Sequence, residues 1–426
     1  MARKIPASGI NLFQLIYILR NEYESKTGKK ALNLSLGNPD GVPPPAIREL
    51  QAHYAADPGF AYHTYAEDTN LHRFVEGMVR LHGGIDIDEF DHVGGVPIPG
   101  IKTAGALIPL ACGLHLPDRS RRDSFKLVSN LPAYDVIGTW THSYLGAERI
   151  VWPLVSEDDM RLNIERLDTA LAAREIDSVD VVYVIRPGNP AAVGANVDEW
   201  TQLLDWCVAK GARLVNDAAY AGLCESGKHT SLAQVASLRT DCEWAEMYSV
   251  SKSFSDPGAR LGALVGSKDF VQDFTLIKGN TESGPVPSMM AAYGDFLADQ
   301  KRAQSALDTQ RDLYRNRLDY IIGKLKEIGL RPACETSAGF FTLWQVPKRA
   351  FGISLSNDPR CAGQSDHEAF NRLVIDETGI VGVHFQGPGS DGHGESLIRY
   401  AVCDDVLATE FQQRFEAGIA MIKPEY

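Results

Sequence analysis

The middle of the chain alternates between runs of apolar, β-branched residues and one long amphipathic stretch. Residues 179–185 (VDVVYVI) and 212–216 (ARLVN) flank the segment NVDEWTQLLDWCVAKG. Runs that are apolar at nearly every position are typical of parallel strands buried on both faces. The segment between them starts at Asn196 and Glu199 with capping-box spacing and stops at Gly211, which predicts a helix. Strand, helix and strand in this order predict a βαβ unit and an α/β fold.

All three apolar runs in this region end at chemically active side chains. The first is followed by Asn189 in RPGNP, and the second by Asp217 and Tyr220 in DAAY. The third run, residues 245–250 (AEMYSV), is followed by Lys252. Ligands of parallel sheets bind outside the carboxyl ends of the strands. We therefore expect an amide, a carboxylate, a phenol and an amine to converge on one crevice.

These four groups suit a pyridine aldehyde that carries a phosphate. A lysine forms the Schiff base with the aldehyde, and a carboxylate keeps the pyridine nitrogen protonated, so the ring can draw electrons. A phenol and an amide bond the ring hydroxyl. Each residue also has a plainer interpretation: Asp217 could cap a helix, Tyr220 could be a core tyrosine, and Asn189 could only form a turn.

The composition limits the other classes of function. The chain has 426 residues and a net charge of −13, which argues against nucleic acid as a partner. Its seven cysteines form no CxxC pair, and its eleven histidines show no metal-binding spacing. The apolar stretch of residues 10–19 is too short to cross a bilayer. We expect a cytoplasmic protein with no metal site, no nucleic-acid partner and no membrane segment.

The lysine lies in the segment SVSKSFSDPGARLG, residues 249–262. Serine hydroxyls and a fixed guanidinium suit a phosphate, so Ser249, Ser251 and Arg260 are candidate phosphate ligands, with Ser249 preferred to Ser251. The segment resembles the lysine motif of the class I/II aminotransferases, which are fold-type I enzymes that use pyridoxal 5'-phosphate (PLP). Their motif reads S-x-S-K, a small turn, and G-x-R-x-G. Gly258 and Gly262 complete the match.

The resemblance covers most of the chain and implies further site residues. Gly37, in LSLGNPDGVPPPAI, resembles the substrate-side loop, and Tyr65, in AYHTYAEDTNLHRF, resembles the tyrosine that reaches the neighbouring subunit's cofactor phosphate. Tyr134 stands where the family stacks an aromatic side chain on the ring, and Arg399 where it binds the substrate α-carboxylate. GIKTA, DAAY and KGNTESG are nearest to the branch that resembles LL-diaminopimelate aminotransferase. The phosphate-binding turn at the start of a helix corresponds to Gly100, Ile101 and Lys102.

The resemblance also implies an architecture. A large domain, residues 51–306, would hold a mostly parallel seven-stranded sheet between layers of helices. A smaller α+β domain would combine residues 1–50 with residues 307–426. The family forms homodimers with shared active sites, so we expect a homodimer here.

The implied reaction begins when an α-amino acid displaces Lys252 to form an external aldimine. Lys252 then removes the α-proton, and Asp217 stabilises the resulting quinonoid. Aminotransfer is the first expectation. The same segment also resembles the lysine motif of 1-aminocyclopropane-1-carboxylate synthase, so γ-elimination or replacement, or a cyclising reaction on S-adenosylmethionine, stays open. A PLP-binding regulatory domain is the third alternative.

Two segments depart from the family pattern. The usual N-P-x-N-P-T-G becomes RPGNPAAVG, with Ala191 and Ala192 where threonine and glycine are common. Ile101 stands where serine or threonine is frequent, so only its backbone donor would serve the phosphate. No spacing selects the residues that read the substrate side chain, for which the candidates are His63, Lys102, Glu282 and His384.

Overall fold

A computed structural model gives the helices and strands of the chain. It describes residues 12–65, 70–116, 124–387 and 394–426. In chain order, the strands are β1 Leu32–Asn33, β2 Val93–Ile98, β3 Lys126–Leu131, β4 Glu148–Pro153, β5 Val181–Ile185, β6 Arg213–Asp217, β7 Trp244–Ser249, β8 Gly262–Ser267, β9 Phe341–Gln345, β10 Arg349–Ala350, β11 Ile353–Ser354, β12 Ile380–Val381, β13 Val383–Gln386 and β14 Ser396–Ala401. The α-helices are Leu12–Thr27, Pro45–Ala56, Asn70–Met78, Ile101–Pro109, Val136–Ser143, Ile164–Ala172, Val197–Lys210, Leu232–Ala236, Val250–Ser253, Lys268–Gly279, Pro287–Ala298, Gln300–Glu327, Asp366–Thr378 and Thr409–Ile419.

The chain divides into two units. The first, called the terminal unit, combines the residues up to Gly37 with Tyr314–Cys334 and Phe340–Tyr426. The second, called the sheet unit, comprises Asn38–Leu313 and Glu335–Gly339. The domain bounds that the family resemblance implies stay a prediction.

The sheet unit is built on seven strands in the spatial order β2-β8-β7-β6-β5-β3-β4. Strands β4, β3, β5, β6 and β7 pair in parallel, and β8 is antiparallel to both of its neighbours. Every position of β5 and β7 is buried, as expected for strands that are covered on both faces. The mostly parallel α/β sheet expected from the sequence is confirmed.

Strand β5, the helix Val197–Lys210 and β6 form the βαβ unit that the sequence predicts. The Asn196 side chain accepts the backbone N–H of Glu199 at 2.9 Å, and the Glu199 carboxylate accepts the backbone N–H of Asn196 at 2.9 Å, which completes the capping box. Gly211 ends the helix at φ 68°, a left-handed conformation that glycine adopts without a Cβ clash. The buried stripe of this helix is Trp200, Leu203, Leu204, Trp206 and Cys207.

Alternate residues of the central strands face opposite sides of the sheet. On one side, Tyr183, Val215 and Met247 belong to one apolar cluster. On the other side, Asn216 Nδ2 donates to Glu246 Oε1 at 2.7 Å, and both side chains are fully buried. The two faces of one sheet therefore bury different chemistry.

The terminal unit contains a three-stranded antiparallel sheet in the order β13-β14-β9. Its helix Leu12–Thr27 buries an apolar stripe, as does the helix Asp366–Thr378. Helices beside an antiparallel sheet give this unit the α+β character that the sequence predicts. One apolar cluster joins these two helices and β12. Its buried members are Ile16, Leu19, Tyr23, Ile375 and Val381.

Candidate active site

The active-site candidates of the sheet unit lie at the carboxyl ends of neighbouring strands. Asp217 is the last residue of β6, and Lys252 lies in the one-turn helix Val250–Ser253 directly after β7. Asn189 follows β5 in the same way. Because β5, β6 and β7 are adjacent and parallel, their carboxyl ends share one edge of the sheet. The strand order thus places these residues along one edge of the sheet, and their convergence on one ligand stays a prediction.

Two hydrogen bonds hold the Asp217 carboxylate. The Tyr183 hydroxyl donates to Oδ2 at 3.0 Å, and the backbone N–H of Ala219 donates to Oδ1 at 3.0 Å. Burial raises the pKa of Asp217 to about 6, against the lowering effects of these two donors and of the Lys252 charge. A carboxylate in this setting gains from a nearby cation, and the protonated nitrogen of a pyridine ring is one.

Asn189 and Tyr220 meet at the same edge. The Asn189 Nδ2 atom lies 3.5 Å from the Tyr220 hydroxyl, and both side chains are buried. The backbone N–H of Tyr134 donates to the Asn189 carbonyl at 2.7 Å, which ties Tyr134 to this loop. The Tyr134 ring is 39% exposed, and the Lys102 ammonium lies 6.0 Å from its centroid. Tyr134 is thus partly exposed beside the amide and the phenol.

Hydroxyl donors lie next to the lysine. The Ser249 side chain caps the helix Val250–Ser253 by accepting the backbone N–H of Ser251 at 3.1 Å. The Ser249 and Ser251 hydroxyls are 2.9 Å apart, and both side chains are buried. The two serines predicted as phosphate ligands therefore form a pair.

The Arg260 guanidinium lies against Gly100. Its Nη1 atom donates to the Pro257 carbonyl at 3.0 Å, and its Nη2 atom contacts the Pro99 carbonyl at 3.4 Å. A Cβ added at Gly100 would lie 2.6 Å from Arg260 Nη2, and Gly100 has φ 89°. Gly100 also caps the helix Ile101–Pro109, so free backbone N–H groups and a guanidinium face one place.

This donor set fits PLP. Helix N–H groups, two hydroxyls and a planar guanidinium are the groups that bind phosphate esters. The absence of a Cβ at Gly100 lets the Arg260 guanidinium approach the helix start, and Lys252 and Asp217 follow or end the neighbouring strands β7 and β6. Residues that would hold the cofactor are therefore Gly100, Asn189, Asp217, Tyr220, Ser249, Ser251, Lys252 and Arg260.

Three of the predicted residues stand apart from this group or differ in detail. Ile101 is 8% exposed and its side chain joins the apolar cluster, so only its backbone faces the helix start. Tyr65 belongs to the sheet unit and is 71% exposed. Gly37 belongs to the terminal unit.

Arg399 also belongs to the terminal unit, in β14. It is 1% exposed, donates to the Ser35 carbonyl at 2.8 Å, and lies 5.0 Å from the centroid of the Phe341 ring. The terminal unit thus brings Arg399 beside the segment that ends at Gly37. The role of both residues toward a substrate stays a prediction.

Sequence patterns alone missed two polar residues, one in the middle of β5 and one directly after it. Tyr183, which bonds Asp217, is the only aromatic residue in β5, and a phenol inside an aliphatic strand is the signal that could have identified it. Arg186 is fully buried and donates to the Met160 carbonyl at 2.5 Å and to the Val193 carbonyl at 3.4 Å. It anchors the RPGNPAAVG loop, where the family has different residues.

The described residues offer neither a metal cluster nor a membrane-spanning helix. No group of three or more histidine, cysteine, aspartate or glutamate side chains is arranged to hold a metal ion within the four described ranges. Within the same ranges, no helix combines the length and the apolar character that crossing a membrane requires.

Known proteins share this arrangement of sequence and fold. The family model of the aminotransferases of class I and II matches residues 29–415. LL-diaminopimelate aminotransferase from Syntrophobacter fumaroxidans is 27% identical over 397 residues, 92% of each chain. The enzyme of that name from Methanocaldococcus jannaschii is 25% identical and covers 80% of this chain and 76% of its own.

Solved structures agree with the fold. A mutant aspartate aminotransferase from Thermus thermophilus superposes with a TM-score of 0.75 at 17% identity, over 98% of this chain and 99% of its own. An aromatic aminotransferase from Pyrococcus horikoshii superposes with a TM-score of 0.73 at 19% identity, over 95% and 97%. At such identities these likenesses concern the fold alone. Taken with the family match, they make this chain a member of the class I and II aminotransferases, a PLP-dependent aminotransferase of fold type I.

Proposed function

We propose that this aminotransferase moves the amino group of an α-amino acid to a 2-oxo acid at the carboxyl edge of its seven-stranded sheet. The observation that carries the proposal is the meeting of Lys252 and Asp217 at neighbouring strand ends, where the lysine charge lowers the carboxyl pKa against the effect of burial. When bound, PLP supplies an aldehyde that condenses with amines and a ring that accepts electrons. The residues of the chain bind the cofactor and the substrate and move the proton.

Lys252 holds the cofactor and moves the proton. Its Nζ atom is the amine that the substrate displaces, after which the free amine takes the proton from the substrate α-carbon. The one-turn helix Val250–Ser253 starts from a fully buried strand and is capped by Ser249. The amine is thus carried on a short element with little freedom, which suits a group that must return to one position.

Asp217 would keep the ring nitrogen protonated, and the Asn189–Tyr220 pair would bond the ring hydroxyl. Burial disfavours an isolated negative charge on Asp217, so a positive ring nitrogen beside it is stabilised. Tyr134 would stack on one face of the ring. This part of the site prepares the electron sink before the substrate arrives.

The phosphate is assigned to Arg260 and to the hydroxyls of Ser249 and Ser251. The proximity of the Arg260 guanidinium to Gly100 supports this assignment, because both face the start of one helix. Backbone N–H donors would come from the first residues of that helix, Ile101 and Lys102.

The substrate carboxylate is assigned to Arg399, with the Gly37 loop beside it. A fully buried guanidinium held by the Ser35 carbonyl and the Phe341 ring is a fixed cation suited to a carboxylate. Tyr65 would serve the phosphate of a neighbouring subunit, which is why we propose a homodimer with shared sites. We also propose a cytoplasmic location.

LL-diaminopimelate is the first donor to test, because several relatives at 22–27% identity are named LL-diaminopimelate aminotransferase. Holoprotein is mixed with LL-diaminopimelate, aspartate, an aromatic amino acid or S-adenosylmethionine, each without an acceptor, and the cofactor absorbance is followed. At least one amino acid should convert the aldehyde form to the amine form, and an added 2-oxo acid should reverse the change.

Two lysine variants control this experiment. Lys252→Ala should abolish the conversion, whereas Lys268→Ala, at a lysine that bonds the Asp91 carbonyl, should leave it unchanged. Turnover of S-adenosylmethionine with no amine form from any amino acid would contradict the proposal.

A further inference from the structure

We infer that Tyr183 is a positioning residue for the reaction: its phenol fixes the Asp217 carboxylate and keeps the shared proton on the cofactor nitrogen rather than on the carboxylate. The inference rests on the proposed role of Asp217. It adds a residue from the middle of β5 to the ring-binding group.

The geometry joins two strands. Tyr183 pairs with Val215 in the register of β5 and β6, while Asp217 lies two residues further along β6 and points to the same face. The hydroxyl therefore crosses from one strand to the carboxylate of the next and donates to Oδ2 at 3.0 Å. The ring itself packs in the apolar cluster with Ile185 and Met247.

The bond fixes the direction in which the carboxylate points. Tyr183 takes Oδ2 and the Ala219 N–H takes Oδ1, so both oxygens are held and each keeps a lone pair for a further donor. Tyr183 is 1% exposed, so water does not replace the bond if it is lost. A phenylalanine here would keep the packing and remove only the donor.

The chemical consequence concerns a proton. A carboxylate beside a pyridinium competes with the ring nitrogen for one proton. A hydrogen bond donated to the carboxylate lowers the carboxyl pKa, so the proton stays on the ring nitrogen. Without the Tyr183 donor, the carboxylate should bind the proton more tightly. The ring nitrogen would then lose positive charge and draw electrons less strongly.

The charges around the pair do not replace this donor. Lys252 faces Asp217, but its amine would be engaged with the cofactor in the holoenzyme of the proposed function. Asp135, the N-cap of the helix Val136–Ser143, faces Tyr183 and is itself paired with Arg149 at 2.5 Å and with the Ser129 hydroxyl at 2.6 Å. Within the described part of the chain, the Tyr183 hydroxyl is the side-chain group that donates a hydrogen bond to the Asp217 carboxylate.

A second buried phenol gives a matched control. Tyr248 in β7 is fully buried and donates to Glu246 Oε2 at 2.7 Å, on the opposite face of the sheet. Tyr183→Phe and Tyr248→Phe therefore each delete one buried phenol–carboxylate bond from the same sheet. Only Tyr183→Phe deletes it at the ring site.

The direct readout is the 15N chemical shift of PLP labelled at the ring nitrogen, recorded against pH in the holoproteins. We expect the ring nitrogen of Tyr183→Phe to lose its proton at a pH lower by roughly one to two units, because hydrogen bonds to charged groups have about this strength. The kcat should fall about 10-fold or more, with KM changed by less than about 3-fold. Tyr248→Phe should match the wild type in both measurements.

A third variant covers the case in which Tyr183→Phe does not fold. Difluorotyrosine placed at position 183 keeps the ring and makes its hydroxyl a stronger donor. It should move the ring titration in the opposite direction from phenylalanine.

Three results would overturn the inference. They are an unchanged titration in Tyr183→Phe, equal changes in the two phenylalanine variants, and a difluorotyrosine shift in the same direction as phenylalanine. If the wild-type protein takes up no cofactor, the proposed function fails first, and the inference fails with it.

Discussion

Two carboxylates in one sheet, the partly buried Asp217 and the fully buried Glu246, show how an acid proposed to serve a ligand differs from a structural one. Glu246 accepts Asn216 Nδ2 at 2.7 Å, the Tyr248 hydroxyl at 2.7 Å and the Ala233 N–H at 2.8 Å, and it is fully buried. Asp217 accepts two hydrogen bonds and lies at the carboxyl end of β6. Glu246 is saturated by its own protein, whereas Asp217 keeps capacity for a ligand.

The same difference can be stated in terms of charge. Burial raises the pKa of both carboxyls, and side-chain and backbone donors work against that effect at Glu246. At Asp217 the Ala219 and Tyr183 donors also lower the pKa, and the charge of Lys252, a group that the proposed function engages elsewhere, adds to them. The site therefore carries an electrostatic cost that a bound pyridinium relieves.

The largest expected effect that tests this comparison is catalytic. Asp217→Asn removes the negative charge that stabilises the ring nitrogen, so kcat should fall about 10²–10³-fold, as for loss of one preorganised electrostatic group. Steady-state kinetics with the best donor measure the loss. In Glu246→Gln, kcat should stay within about 3-fold of the wild type. Equal losses in both variants would remove the distinction.

The second effect is on folding stability. Here the larger loss should occur at Glu246, not at Asp217. Glu246→Gln places an amide N–H against donors that it cannot bond, which should lower the free energy of unfolding of the apoprotein by about 2–3 kcal/mol. Urea titration at pH 7 measures this value. Asp217→Asn should show no such loss, and a similar loss there would contradict the comparison.

A third effect is a pH dependence. The folded-state pKa of Asp217 is about 6, above its ordinary value of 3.8, so its stabilising contribution is complete below about pH 4 and is lost as pH rises through 6. Apoprotein carrying Asp217→Asn should therefore be more stable than wild type at pH 8, by about 2–3 kcal/mol, and similar to it at pH 4. Urea titrations at the two pH values test this, and a difference that is the same at both would contradict the account.

The smallest effect is expected at the phosphate end of the site. Gly100→Ala puts a Cβ at 2.6 Å from the Arg260 guanidinium and at φ 89°, so PLP should bind about 10-fold more weakly. Gly258→Ala is the matched control, because nothing lies within 4 Å of the added Cβ there. Cofactor titration by absorbance measures both variants, and equal affinities would show that Gly100 does not shape the site.

Local patterns were enough to predict the centre of the fold. The strands β5 and β6 and the capped helix between them follow from residue periodicity. The residues that come after the apolar runs in the sequence, among them Asp217 and Lys252, are the ones that the sheet brings to one edge. The reason is that burial on both faces and helix capping depend on residues within a few positions of each element.

Contacts between distant segments could not be predicted in the same way. The Arg260 contact with the Pro99 carbonyl joins residues 161 positions apart, and the Tyr183–Asp217 bond depends on the register of two strands. Neither the register nor the approach of Gly100 to Arg260 has a local signature. The assignment of Arg399 came from the family resemblance, because a lone arginine in a strand carries no spacing signal.

The most direct test of the account is reduction of the holoprotein with borohydride, followed by peptide mapping. One stable phosphopyridoxyl group is expected, carried by the peptide that contains Lys252. No label is expected in Lys252→Ala. A protein that takes up no B6 aldehyde, or a label confined to another lysine, would contradict the account.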